Sequence, residues 1–248
     1  MIMSFLTAEW RKLAIANYSV DPELLTKYLP AGTELDIWNG KCYVSLVGFL
    51  FKNTRLRGIR VPFHSNFEEV NLRFYVRYKD DKAWKRAVVF IKEIVPRYAL
   101  AFIANTFYKE HYVAVPMRHL WEETEDSLKV AYEWRVQEYW QRFSIEALPA
   151  SMPIAAGSEA EFITEHYWGY SKFNERTTIE YEVKHPRWEQ YQVNQFEINV
   201  DFGLNYGEDF SFLSGVVPDS VMLAEGSVVS VENKKVIRFP KSNSFGVV

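Results

Sequence analysis

The stretch EEVNLRFYVRYKD, residues 68–80, alternates between apolar and polar side chains along most of its length. Successive side chains of an extended chain point to opposite faces of a sheet, so the pattern predicts a β-strand with two different faces. The apolar face carries Val70, Leu72, Phe74, Val76 and Tyr78. The polar face carries Glu69, Asn71, Arg73, Tyr75 and Arg77. This polar face contacts either bulk solvent or a cavity, and in a cavity its side chains would form a site.

Strand patterns outnumber helix patterns along the rest of the chain. The sequence predicts short helices over 22–29, within 97–112 and over 158–168, and a linker or surface loop at 149–158. The predicted strands lie around 41–52, 69–79, 86–95, 127–136, 138–148, 177–185, 195–202 and 220–232. Short connections between strands favour antiparallel pairing. The fold class is therefore mainly β, with a few short flanking helices.

Composition excludes several classes of protein. The chain has 248 residues, of which 48% are hydrophobic and 17% aromatic, which is typical of one globular β-rich domain spanning 1–248. A net charge of −3 without a basic block argues against a nucleic-acid partner. One cysteine excludes a disulfide framework. The N-terminal residues do not resemble a signal peptide, and no apolar run reaches membrane-spanning length. We expect a cytoplasmic protein without a membrane association.

Sequence motifs for cofactor or metal chemistry are missing. The chain has no phosphate-binding glycine loop, no nucleophile elbow and no paired cysteines, and its five histidines show no HxH or HxxxH spacing. We therefore expect neither a cofactor nor a metal. The polar face of the 68–80 strand is the best candidate site, since Asn71 occupies it although asparagine is depleted in strands. A solvated sheet face is the alternative interpretation.

Several segments resemble the YqjF-like family of bacterial proteins. They are YSVDPELLTKYLP, EVNLRFYV, EFITEHYWGYSKF and the HPRW of residues 185–188, and they occur in the family's order. That family resembles acetoacetate decarboxylase in fold, which implies an antiparallel, barrel-like sheet around a central cavity. The resemblance also implies that Arg11 and Glu69 correspond to an arginine and an acidic residue of the decarboxylase cavity. Barrels of this kind tend to associate, so a homo-oligomer is a further implication.

The decarboxylase has a pair of lysines, one of which forms a Schiff base with a keto substrate while the other lowers its pKa. Here His111 and Tyr112 stand in the place of that pair, and Lys109 comes two or three residues too early. The resemblance therefore implies the fold without the imine chemistry. His111 and Tyr112 either cap a helix or act as acid or base on a ligand. Arg97 either binds a carboxylate or is a surface charge.

Three functions follow from these observations. The first is an enzyme for a small oxo- or carboxylate-bearing metabolite, with Glu69, His111 and Tyr112 as catalytic candidates. Its substrate-binding candidates are Arg11, Asn71, Arg73, Tyr75 and Arg97. The second is a non-catalytic protein that binds such a metabolite, and the third is an interaction module whose cavity is filled by aromatic side chains. A decarboxylase-type lyase that uses Lys109 or Lys92 remains an alternative to the first.

Overall fold

Strands form most of the computed structural model, which describes residues 4–60, 65–81, 83–96 and 111–240. The helices are α1 (Pro22–Leu25), α2 (Glu159–Thr164) and α3 (Phe202–Tyr206), with 3₁₀ turns at Thr26–Tyr28 and Glu208–Leu213. The strands are β1 (Leu6–Val20), β2 (Glu34–Leu35), β3 (Cys42–Leu56), β4 (Ile59–Arg60), β5 (Phe67–Lys79), β6 (Trp84–Val95), β7 (Tyr112–Ala114), β8 (Met117–Glu123), β9 (Leu128–Val136), β10 (Tyr139–Pro153), β11 (Trp168–Asn174), β12 (Thr177–Lys184), β13 (Glu189–Asn199), β14 (Ser220–Val231) and β15 (Lys235–Arg238). The predicted mainly β class is confirmed.

The strands form one large sheet, and part of that sheet closes on itself. Seven strands pair in the order β1, β3, β5, β6, β11, β12 and β14, and β14 pairs with β1 again. We call this closed path the ring. The sheet is mixed rather than wholly antiparallel, because β6 pairs in parallel with both β7 and β11. The ring nevertheless agrees with the predicted barrel-like sheet around a cavity.

The sheet continues from β14 through β13, β10, β9 and β8, and this continuation packs against the outer face of the ring. One hydrophobic core lies between these two parts of the sheet. It includes Val70, Leu72 and Phe74 of β5 together with Trp134 and Phe143 from the continuation. A second core lies inside the ring. Both faces of β5 are therefore largely buried as far as Val76, and the strand reaches solvent at Arg77 and Lys79.

The short helices begin where the sequence provides caps. The Asp21 side chain accepts a hydrogen bond from the Glu23 backbone N–H at 2.8 Å, and Pro22 occupies the first turn, where no N–H donor is needed. The Ser158 hydroxyl likewise accepts from the Glu161 N–H at 3.2 Å. The Glu161 carboxylate accepts from the Gly157 N–H, rather than from Ser158 as a capping box requires.

The structure differs from the sequence prediction in several segments. The long strand β1 and the strands β8 and β11 were not predicted. The predicted loop 149–158 is partly strand, since β10 extends to Pro153. Helix α2 ends at Thr164, so that Trp168 belongs to β11 instead. The predicted strand over 195–202 ends at Asn199, and Asp201 caps α3. The helix predicted within 97–112 falls mainly outside the described residues.

Candidate functional site

The interior of the ring contains a cavity of about 150 Å³. Every strand of the ring contributes side chains to its lining, most of which are aromatic or aliphatic. One water molecule needs roughly 10–15 Å³ of such space, so the cavity has room for about ten non-hydrogen atoms. The hypothesis that aromatic side chains fill the interior is therefore wrong. The polar residues of the lining are Glu69, Asn71, Arg73, Glu93, Tyr112, Thr164, His166, Tyr181 and His185.

Strand β5 positions three of these polar side chains through its alternation. Glu69, Asn71 and Arg73 line the cavity and are 3%, 1% and 7% exposed. The Asn71 amide donates to Glu69 Oε1 at 2.9 Å. Tyr75 points to the same side but lies beyond the lining, where its hydroxyl hydrogen-bonds Ser45 Oγ at 2.7 Å. Three residues of the predicted polar face thus line the cavity, whereas Tyr75 does not and Arg77 is exposed.

Burial makes Glu69 an unusual carboxyl group. Removal from water disfavours the carboxylate and raises the pKa of Glu69 to about 7. Hydrogen bonds from Asn71 and Tyr112 and the charge of Arg73 oppose this rise. The Tyr112 hydroxyl donates to Glu69 Oε2 at 3.2 Å, and burial together with the charge of Glu69 raises the pKa of Tyr112. Tyr112 therefore remains a hydrogen-bond donor at neutral pH.

Arg73 brings a positive charge into the same apolar space. Its side chain lies with the guanidinium carbon 5.7 Å from the centre of the Tyr75 ring. Its Nε atom is buried and has no hydrogen-bond partner among the described residues. Because a guanidinium group stays protonated and presents several N–H donors in one plane, this residue is suited to hold a carboxylate.

A histidine and an aspartate that the sequence did not predict lie beside β5: the His166 ring is 4.7 Å from the Tyr75 ring, and the Asp36 N–H donates to the Tyr75 carbonyl oxygen at 2.9 Å. His166 lines the cavity, and its Nε2 atom lies 3.2 Å from Asp36 Oδ2. Arg86 donates to the same Asp36 oxygen at 2.7 Å. Burial lowers the pKa of His166 to about 4, aided by the charges of Arg86 and Arg73 and opposed by Asp36. The neutral imidazole thus donates through Nε2 to Asp36 and keeps Nδ1 as an acceptor.

Two bulges turn lysine side chains away from the cavity. In β6, Val88 and Phe90 line the cavity, and strict alternation would place Lys92 beside them. The pairing with β5 shifts register after Phe90, so Lys92 faces outward and Glu93 faces inward. The Lys92 ammonium donates to the Asn205 carbonyl oxygen on the outer side. The alternative with Lys92 as Schiff-base lysine is therefore not supported by its position.

The second bulge lies in β1. Trp10 and Leu13 line the cavity, and the register shifts between Arg11 and Ala14. Lys12 has a positive φ of 54° and points outward, where its ammonium donates to Glu225 Oε2 at 2.6 Å and Tyr191 Oη at 2.5 Å. As a result, no lysine of the described residues lines the cavity.

The structure does not bring every predicted residue to the cavity. Arg11 follows the inward Trp10 and faces outward, where it pairs with Glu9 at 2.8 Å and Glu225 at 3.3 Å. His111 is exposed, and its backbone carbonyl accepts from the Glu93 N–H at 3.2 Å. Arg97 and Lys109 lie outside the described residues.

Sequence reasoning missed Glu93, His166 and Asp36. Glu93 was hidden by the bulge, since a period of two places it on the outer face. His166 lies within the EFITEHYWGYSKF segment that resembles the family, and this segment was the available signal. Asp36 lies far from both in sequence. Among the residues described, no three His, Cys, Asp or Glu side chains are grouped to hold a metal ion. None of the helices in the described ranges is long and apolar enough to cross a membrane.

Comparisons with known proteins agree with this architecture. Residues 7–228 match the model of DUF2071, described as an uncharacterized conserved protein, and the chain belongs to this family. It is 27% identical over 195 residues to the uncharacterized protein YqjF of Bacillus subtilis (strain 168), with 77% of each chain covered.

Three solved structures share the fold at low sequence identity. Acetoacetate decarboxylase from Legionella pneumophila has a TM-score of 0.62 and 12% identity, covering 94% of this chain and 86% of that one. An acetoacetate decarboxylase-like enzyme from Sphingomonas wittichii RW1 has a TM-score of 0.63 and 11% identity, covering 96% and 94%. The enduracididine biosynthesis enzyme MppR, solved with pyruvate, has a TM-score of 0.63 and 11% identity, covering 95% and 91%.

Proposed function

We propose that this member of the DUF2071 family is an enzyme that binds a small oxo- or carboxylate-bearing metabolite and acts on it by proton transfer, without a lysine Schiff base. One observation carries the proposal. Glu69, a buried carboxyl group with a pKa of about 7, lies in an apolar cavity beside the buried guanidinium group of Arg73. A group with such a pKa exists in both protonation states at neutral pH, which suits a general acid or base.

The side chains around the cavity divide the work between binding and chemistry. Arg73 holds the carboxylate of the ligand, because a buried guanidinium gains most from an anionic partner. The Glu69 carboxylate then removes a proton from the carbon next to the carbonyl group. The C–H bond breaks, an O–H bond forms on Glu69, and the electron pair moves onto the carbonyl oxygen. Tyr112 orients Glu69 through its hydrogen bond at 3.2 Å.

Deuterium exchange tests this chemistry directly. Pyruvate and 2-oxobutyrate are suitable probes, since the structurally similar MppR was solved with pyruvate. In D₂O the protein should accelerate loss of the proton signals next to the carbonyl group, as followed by NMR. Glu69→Gln should reduce this acceleration by roughly 100-fold or more, because general-base catalysis contributes about that much. Calorimetry should show that Glu69→Gln still binds the ligand.

Arginine variants separate binding from catalysis. Arg73→Met should weaken carboxylate binding by at least about tenfold, since a charge-assisted hydrogen bond is lost. Arg77→Met is the matched control, because Arg77 is on the same strand and face but is exposed and paired with Glu34. If the wild-type protein binds the ligand but does not accelerate deuterium exchange, the protein is a non-catalytic binder of the metabolite. Absence of binding would overturn the proposal.

A further inference from the structure

Asn71 Oδ1 and His166 Nδ1 are hydrogen-bond acceptors in the cavity that have no partner among the described residues. Both side chains are more than nine-tenths buried and both line the cavity. A buried polar atom without a partner costs about 1–3 kcal/mol, so proteins rarely leave one unpaired without a reason. A molecule that binds in the cavity should therefore supply hydrogen-bond donors to these two atoms.

The identity of each acceptor follows from its neighbours. The Asn71 side chain contacts Glu69 Oε1 at 2.9 Å, and a carboxylate oxygen only accepts, so the amide nitrogen faces Glu69 and the amide oxygen remains. His166 is fixed in the same way by Asp36. The Nε2–H group donates a hydrogen bond to Asp36, so Nδ1 of the neutral ring has no proton and its lone pair can accept a hydrogen bond.

Arg73 lies near both acceptors. It is two residues from Asn71 on the same face of β5, which is roughly 7 Å along a strand. Its charge also acts on His166 and on Glu69. The guanidinium requires an acceptor, whereas Asn71 and His166 require donors. A simple oxo acid such as pyruvate carries only acceptors and would leave both of these atoms unpaired.

We propose that the metabolite bound in this cavity carries a hydroxyl group next to its carboxylate, as in a small hydroxy-oxo acid. This inference rests on the proposed function, because it names the substrate class of the same site. The carboxylate pairs with Arg73, and the hydroxyl donates to His166 Nδ1 or Asn71 Oδ1. A site built to bond a ligand hydroxyl rejects the analogue without it more strongly than an apolar pocket rejects a missing methylene.

Matched ligand pairs test the inference with the unmodified protein. Calorimetry at pH 8, where most Glu69 side chains are ionised, compares lactate with pyruvate and 2-hydroxybutyrate with 2-oxobutyrate. We expect each hydroxy acid to bind about tenfold or more tightly than its oxo partner, in at least one enantiomer. Equal affinities, or tighter binding of the oxo acids, would overturn the inference and leave the proposed function in place. Failure of all four acids to bind would overturn both.

Variants locate the preference. His166→Phe and Asn71→Leu each remove an acceptor while Arg73 stays, so the preference for hydroxy acids should fall toward unity and oxo-acid affinity should change by no more than about twofold. His119→Phe is the matched control, because His119 lies on β8 at the surface and pairs with Glu68. A preference that survives both acceptor variants would contradict the inference. Tighter binding of alanine than of lactate would also contradict it, since the donor would then be an ammonium group.

Discussion

Two buried titratable groups in one cavity have pKa values that are displaced in opposite directions. Desolvation disfavours whichever form is charged, so it raises the pKa of Glu69 and lowers that of His166. Between about pH 4.5 and 7, Glu69 binds a proton in the folded state that it loses on unfolding, and stability falls as pH rises. Between about pH 4 and 6.5, His166 lacks a proton that it gains on unfolding, and stability rises with pH. The two effects oppose each other over most of this range.

Replacing Glu69 by glutamine separates the effect of Glu69 on the pH dependence of stability from that of His166. The Glu69→Gln variant should gain stability relative to the wild type as pH rises from 4.5 to 7, by up to about 3 kcal/mol, because the cost of ionising a buried carboxyl group disappears. Urea unfolding at several pH values measures this difference. Glu122→Gln, an exposed position on β8, is the control and should follow the wild type. A Glu69→Gln variant that also followed the wild type would show that Glu69 titrates normally.

Lys92 provides a test of Schiff-base chemistry. Burial lowers its pKa, a property expected of an imine-forming lysine, but its ammonium contacts the Asn205 carbonyl on the outer side of the ring. We expect borohydride to trap no adduct of pyruvate or acetoacetate on Lys92, as measured by mass spectrometry. Lys92→Met gives the background. A stable adduct that this variant abolishes would contradict the conclusion that Lys92 forms no Schiff base. An adduct on Lys109 would make a decarboxylase-type lyase the leading function again.

At the scale of elements, the two bulges decide which residues reach the cavity. Each bulge adds one residue to a strand and inverts the alternation beyond it. The β1 bulge lies opposite Gly226, which has a φ of +80°. A Cβ atom there would lie 2.0 Å from the Trp10 carbonyl oxygen. The glycine is therefore required both by its backbone conformation and by the close approach of β1.

Gly226→Ala should destabilise the fold by about 3 kcal/mol or more. The alanine would be strained in the left-handed backbone conformation, and its Cβ atom would also clash with the Trp10 carbonyl oxygen. Gly157→Ala is a matched control, since Gly157 also has a positive φ of 73° but has open space around its Cα. Strain alone should cost the control about 1 kcal/mol. Chemical unfolding of both variants provides the comparison. Similar losses at the two positions would mean that β1 can move away from Gly226.

The same bulges mark the limit of prediction from sequence. Strict alternation identified β5 as a strand and predicted the direction of Glu69, Asn71 and Arg73, but it did not predict that Tyr75 lies beyond the cavity lining. Alternation failed at Ile91–Lys92, because a bulge depends on the partner strand rather than on the residues themselves. The long strand β1 was missed because both of its faces are buried, which removes the polar half of the pattern. The Asp36–His166 pair depends on tertiary contacts alone.

For the whole molecule, closure of the ring creates an interior that the rest of the sheet does not have. The continuation through β13 to β8 covers the outer face of β1, β3 and β5, which frees their inner face to line the cavity. Polar side chains are acceptable within this largely apolar interior because the outer core supplies further hydrophobic burial. The site and the stability of this fold therefore depend on opposite faces of the same strands, and substitutions at Asn71 or Arg73 leave the outer core intact.

The ring is not equally strong all the way around. In the described part of the chain, the β11–β12 hairpin joins β6 through the pairs Trp168–Ala87 and Gly169–Val88 and joins β14 through Val183–Val231 and Lys184–Ser230. The strands β1, β3 and β5 pair along most of their lengths. Local opening takes the least free energy where pairing is shortest. Amide hydrogens of the hairpin should therefore exchange with solvent faster than those of β3, as measured by mass spectrometry or NMR.

Such opening would also set the kinetics of ligand exchange. Trp168, Tyr181 and Val183 of the hairpin form part of the cavity wall, so displacement of the hairpin exposes the interior. If entry waits for this motion, the observed association rate levels off at high ligand concentration instead of increasing in proportion to it. Stopped-flow measurements at increasing ligand concentration show whether the association rate levels off or keeps rising. The residence time of the metabolite would then depend on how often the short β6–β11 and β12–β14 pairings open, and not only on the strength of its contact with Arg73.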